Sequence, residues 1–167
     1  MPLAGRVAIV TGAGDGIGAA VARRFAADGA KVLVAEVNEE KGRATAEAIG
    51  GRFVRTDVSD KAQMLAVVDT AVQEWGSVDI LVNNAWGAGN VGRVENKTDT
   101  MLAHGLGVGF YGPFWAMQAA FPHMKERGWG RVIFSSCGIP HLQVGRKRSS
   151  CGQGNSWDSP PGRIPVP

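Results

Sequence analysis

Short apolar runs and longer stretches of helical spacing alternate along the first 137 residues. Arg6-Val7-Ala8-Ile9-Val10 is an apolar run that ends at a glycine-rich turn, the mark of a strand buried in a parallel sheet. From Gly16 to Asp28 the apolar positions Ile17, Ala20, Val21 and Phe25 fall at helical spacing, and Gly29 stands just past the end. Lys31 to Ala35 is a second buried strand. Asn38 is placed to cap a helix that runs through Ile49 and closes on Gly50 and Gly51. Phe53 and Val54 mark a third strand. Asp60 can cap a helix to about Trp75, closed by Gly76, and Val78 to Val82 is a fourth strand. A glycine-rich loop from Gly87 to Gly92 precedes one long helical stretch from about Thr98 to Lys125, and Arg131 to Phe134 is a fifth strand.

Alternation of this kind, with short linkers, predicts an α/β fold: a doubly wound parallel sheet covered by helices on both faces. The pattern stops near residue 137. Residues 138–167 hold five of the chain's 8 prolines, with five glycines and four serines, and show no apolar period. Such a stretch buries too little apolar surface to offset its conformational entropy, so it is expected to be a disordered or aberrant tail. The expected organisation is therefore a folded part over 1–137 and a tail over 138–167. The tail is also where the charge lies. Residues 1–137 carry fourteen basic and fourteen acidic side chains, whereas Arg146, Lys147, Arg148 and Arg163 face only Asp158 in the tail, which accounts for the whole net charge of +3.

Charge balance in the folded part removes the basic stripe that nucleic-acid binding requires. No apolar run approaches a bilayer span, and the N-terminus lacks a basic region followed by an apolar one, so a cytoplasmic protein without membrane contact is expected. The two cysteines, Cys137 and Cys151, are too few and too isolated for a metal site.

The chemistry lies in the first turn. Val10-Thr11-Gly12-Ala13-Gly14-Asp15-Gly16-Ile17-Gly18 joins the first strand to the first helix. Glycines at 12, 16 and 18 suit a tight turn, close approach to a pyrophosphate and close helix–strand packing, while the helix N-terminus offers free N–H groups to the phosphates. Glu36 ends the second strand, where an acid accepts hydrogen bonds from the adenosine ribose and repels a 2′-phosphate. Asp15 adds negative charge, and the turn holds no Arg or Lys. The expected cofactor is NAD in preference to NADP.

These residues carry a resemblance to the short-chain dehydrogenase/reductase family over residues 5–136. The cofactor motif Thr-Gly-x-x-x-Gly-Ile-Gly stands at Thr11 to Gly18, Asp57-Val58 is similar to the pair that contacts adenine, and Val82-Asn83-Asn84-Ala85 matches Asn-Asn-Ala-Gly with Trp86 in place of its glycine. The resemblance implies cofactor binding by Thr11, Gly12, Asp15, Gly16, Ile17, Gly18, Glu36, Asp57, Val58, Asn83 and Ala85. It implies hydride transfer between a nicotinamide cofactor and a secondary alcohol or ketone. It also implies a tyrosine acid/base with a lysine four residues later, a serine after the fifth strand and an asparagine on the long helix.

The chain departs from that set. Its one tyrosine, Tyr111, lies in the long helix with Trp115 four residues on, so Tyr-x-x-x-Lys is absent and Tyr111 reads as a packing residue. Ser136 is the candidate for the serine, although counting from Arg131 puts that place on Cys137, and Ser135 is adjacent. The helix asparagine falls on Gly109, and nearby His104 reads as a surface or packing residue. Three functions stay open: a dehydrogenase, an inactive dinucleotide-binding module, and the product of a frame shifted near residue 138. The family's homo-oligomers use the long helix; here Leu102, Leu106, Phe110, Phe114, Met117 and Phe121 are expected to form an open apolar face, beside a fifth strand left as an exposed edge.

Overall fold

A computed structural model describes residues 1–87 and 93–135; Ser136, both cysteines and the segment 138–167 lie outside the described residues. Five strands, β1 (Val7–Thr11), β2 (Lys31–Glu36), β3 (Arg52–Arg55), β4 (Ile80–Asn83) and β5 (Arg131–Phe134), form one parallel sheet in the order β3-β2-β1-β4-β5. The chain builds outward from β1 in one direction through β2 and β3. It then crosses back to β4 on the other side of β1.

Period-two alternation in the strands sorts the core into two layers. Ala8, Val10, Val32, Val34, Ile80 and Val82 face helices α1 (Gly16–Ala27) and α2 (Glu39–Ile49), meeting Ala22, Val21, Phe25, Ala46 and Ile49. Val7, Ile9, Leu33 and Leu81 face the opposite side, against Met64, Val67, Val68 and Ala71 of α3 (Lys61–Trp75) and Ala116, Ala120 and Met124 of α5 (Gly112–Glu126). The doubly wound reading therefore holds.

The expected caps form. Asn38 Oδ1 accepts from the Lys41 N–H and Asp60 Oδ1 from the Gln63 N–H; Gly50 and Gly76 end their helices in the left-handed region that glycine takes without strain. At the N-terminal ends of the strands, the fully buried Asp79 carboxylate accepts from Arg6 Nη1 at 3.0 Å and from the Val7 N–H at 2.9 Å, with Arg127 Nε at 3.4 Å. The Arg6 guanidinium also lies 3.9 Å from the Trp129 ring centre, tying β1, β4 and the entry to β5 together at the end of the sheet away from the glycine-rich turn.

One expectation needs correction. The stretch from Thr98 is not a single regular helix: α4 (Asp99–Leu106) widens into a π turn over Gly107–Tyr111 before α5 begins. Pro113 has no N–H to give and its ring would strike the carbonyl of residue 109 in a regular ladder, so the turn before it opens, and the Gly112 N–H bonds the Gly107 carbonyl instead. The same Gly112 lies against the Val58 carbonyl, where a Cβ would collide.

Candidate functional site

The crevice lies at the C-terminal ends of β1 and β4, where the chain's direction of building reverses, the place at which open α/β sheets hold ligands. Its walls are Gly12, Glu36, Val37, Thr56, Asp57, Val58, Ala85, Trp86, Gly87, His104 and Val108. Five residues expected from the sequence, Gly12, Glu36, Asp57, Val58 and Ala85, meet here although they come from four separate turns.

The glycine-rich turn is shaped from both sides. Gly12 has φ +63°, donates to the Ala35 carbonyl at 2.8 Å, and a Cβ on it would stand 2.7 Å from Ala85 Cα. Only glycine meets both demands. Gly18 lies directly against the Gly12 carbonyl, so it too has no room for a side chain, whereas space is open beside Gly16 at the start of α1. Asp15 caps α1, its Oδ1 accepting from the Gly16 N–H at 2.7 Å, and Ile17 is exposed on the first turn.

Thr11 and Asn83, both expected to bind the cofactor, hold buried positions. Thr11 is buried. Its hydroxyl donates to the Val82 carbonyl at 3.3 Å and accepts from the N–H groups of Asn84 and Ala85 at 3.0 Å each, so it pins the end of β4 to β1. Asn83 is buried beside β5, and its Oδ1 and Nδ2 are the buried side-chain atoms without a hydrogen-bond partner among the described residues. An amide in that condition costs free energy until something pairs with it.

Glu36 is fixed by backbone donors. Oε2 accepts from the Gly14 N–H and Oε1 from those of Val37 and Asn38, all at 3.0 Å. Gly14, which the motif leaves variable, matters here because a Cβ on it would sit 2.8 Å from Glu36 Cγ. Asp57 Oδ1 accepts from the Ser59 N–H and hydroxyl at 2.9 and 2.7 Å. Lys41 Nζ donates to Asp15 Oδ2 at 2.8 Å; this bond, with that of Gly16, holds the Asp15 carboxyl below the usual carboxylate range, and Asp15 in turn raises the Lys41 ammonium.

The sequence gives Asn84 a place in the motif but no role of its own; its Nδ2 donates to the carbonyls of Thr11 and Gly12 at 3.1 Å each. Its place beside Asn83 in the motif was the available signal. His104, expected to be a surface or packing residue, is exposed and also borders the crevice: a Cβ on Gly87 would stand 3.0 Å from its Nε2 and 2.9 Å from Val108 Cγ2. Tyr111, expected to be a packing residue, packs at the surface: it is 47% exposed and stacks on Trp115 with ring centres 5.7 Å apart. The position of Ser136 lies outside the described residues. No group of three or more His, Cys, Asp or Glu among the described residues is placed to hold a metal ion, and none of their helices is long and apolar enough to cross a membrane.

Comparison with known proteins agrees with this geometry. The family model described as short chain dehydrogenase matches residues 6–145. The chain is 40% identical over 133 residues to the 3-alpha-(or 20-beta)-hydroxysteroid dehydrogenase of Mycobacterium tuberculosis, covering 78% of this chain and 51% of that protein. It is 36% identical over 149 residues to galactitol 2-dehydrogenase of Agrobacterium fabrum, covering 88% and 56%, and 35% identical over 162 residues to tropinone reductase-like 2 of Erythroxylum coca, covering 90% and 59%. The chain spans about half the length of the curated relatives it matches. The family match continues to residue 145, so likeness to the family outlasts residue 136, where the motifs had put its end. A glycine-rich turn on β1, an acid closing β2 and the Asn83-Asn84-Ala85 corner on β4, together with these matches, make the chain a member of the short-chain dehydrogenase family.

Proposed function

We propose that the crevice binds a nicotinamide dinucleotide, NAD in preference to NADP, as the cofactor half of an oxidoreductase acting on a secondary alcohol or its ketone. The observation that carries this reading is Glu36, a carboxylate on the crevice wall held by the N–H groups of Gly14, Val37 and Asn38. A carboxylate so fixed accepts from the ribose hydroxyls and repels a 2′-phosphate. The pyrophosphate belongs at Gly16, Ile17 and Gly18, where the α1 N-terminus presents N–H groups and the positive end of its dipole beside open space. Asp57, Val58 and Ala85 form the adenosine walls. The nicotinamide end then extends past β4, toward the Asn83 amide, which has no hydrogen-bond partner among the described residues. When bound, the nicotinamide ring supplies the hydride donor or acceptor; the residues named here bind and orient it. A cytoplasmic location goes with this reading, because the cofactor is drawn from the pool there.

A second reading is favoured by one observation. The 167 residues contain no Tyr-x-x-x-Lys, the pair that moves the proton in the resembling family. These residues by themselves then act as a dinucleotide-binding module without turnover. Calorimetric titration with NAD⁺ and NADP⁺, followed by an NAD⁺-reduction assay with secondary alcohols, tests both. Saturable binding that favours NAD⁺, with the preference lost in Glu36→Ser, supports the cofactor reading, and tight NADP⁺ binding by the unaltered chain refutes the NAD preference. Alcohol-dependent NADH formation would overturn the module reading.

A further inference from the structure

We propose that Trp86 is the stacking platform for the adenine ring of the bound dinucleotide, an assignment that rests on the cofactor reading above. Trp86 directly follows Ala85 and lines the same wall system as Glu36, Asp57 and Val58, the adenosine half of the crevice. Its indole is 68% exposed, and no aromatic ring among the described residues stacks on it. A large apolar ring left open at the mouth of a crevice gains free energy when a flat partner covers it. The nearby walls suit such a partner. Val37, Val58 and Val108 supply apolar faces, while Asp57 and Thr56 supply polar edges, the combination that a purine with an amino-bearing rim requires.

The local backbone does not demand an aromatic residue. Position 86 carries glycine in the motif that residues 82–85 match, so the turn after β4 forms without any side chain there. Gly87 brings the floor of the crevice close: with no Cβ, it lets His104 and Val108 approach the loop that carries Trp86. Trp86 thus adds contact area to the ligand without supporting the core. Stacking of a base on an aromatic side chain tolerates changes in the rest of the ligand, since every base presents a π-face.

The test is isothermal titration of the full chain and its W86G and W86F variants with NAD⁺ and with ADP-ribose, which keeps the adenine and lacks only the nicotinamide. W86G is expected to weaken both ligands by about tenfold and W86F to stay within about threefold, because a smaller ring still stacks. Melting temperatures should not move, since the side chain is exposed. Equal affinity of W86G and the unaltered chain for ADP-ribose overturns the platform, as does W86F falling as far as W86G. Failure of the unaltered chain to bind either ligand overturns the cofactor reading and the platform with it; the two failures are therefore distinct.

Discussion

Strands β1 and β5 have similar sequences and opposite surroundings. Every residue of Val7-Ala8-Ile9-Val10-Thr11 is buried, whereas in Arg131-Val132-Ile133-Phe134 the side chains of Ile133 and Phe134 are 43% and 54% exposed. The helices repeat the contrast. The α1 and α2 layer closes over β1 and β2 with Ala22, Ala46, Phe25 and Ile49, while Leu102, Leu106, Phe110, Phe114 and Phe121 remain exposed along α4, the π turn and α5. An apolar run states that burial is favourable. What covers it depends on which neighbours the topology supplies.

Matched substitutions sharpen that contrast. Leu33→Ala, in the fully buried centre, is expected to cost about 2–5 kcal/mol of stability, since the packed layer cannot collapse into the space; denaturant melts measure it. Gly12→Ala should abolish detectable NAD⁺ binding, because its Cβ would press on the Ala85 backbone in a left-handed conformation that alanine resists; titration of the variant by calorimetry checks this. Asn38→Ala removes the cap of α2 and should lower stability by about 1 kcal/mol. Phe121→Ser, on the exposed side, is expected to change stability by less than about 0.5 kcal/mol while reducing self-association in sedimentation runs. A loss like that of Leu33→Ala would show the open face to be covered in solution, and so break the comparison.

The smallest effect is electrostatic. The folded-state pKa of Asp15 lies below its ordinary value because Lys41 and the Gly16 N–H bond the charged form. Whatever Asp15 contributes to stability is therefore present above its ordinary pKa near 3.8 and is lost as pH falls through the lowered folded value. Lys41→Met should move the Asp15 carboxyl back up toward the ordinary range, as followed by a carbon NMR pH titration. An unchanged titration would mean that the 2.8 Å pair does not persist in solution.

Much of this was legible in the chain because it is local. Caps at Asn38 and Asp60, stops at Gly50 and Gly76, and the turn from Thr11 to Gly18 each depend on residues within a few positions, and all appear as read. The roles of Thr11 and Asn84 were not legible, since their partners lie more than seventy residues away in sequence. That the exposed His104 also borders the crevice, and that Tyr111 packs on Trp115 at the surface, depends likewise on the tertiary course of the chain. Helical spacing reports which residues share a face, and the widened turn at Gly107–Tyr111 changed which way the following face points.

By itself the sequence determined the alternation of strands and helices, the glycine-rich turn and the acid that closes β2, because dihedral preference, capping and apolar period act over short stretches. Only the tertiary structure decided that the Gly14 N–H meets Glu36 from the neighbouring turn, and that Asn83 is buried with no hydrogen-bond partner among the described residues. Only it brought Trp86 and His104 to the same crevice as Asp57. Those facts come from the side-by-side parallel pairing of β2, β1 and β4, which joins distant segments at one end of the sheet, and no local preference encodes that meeting.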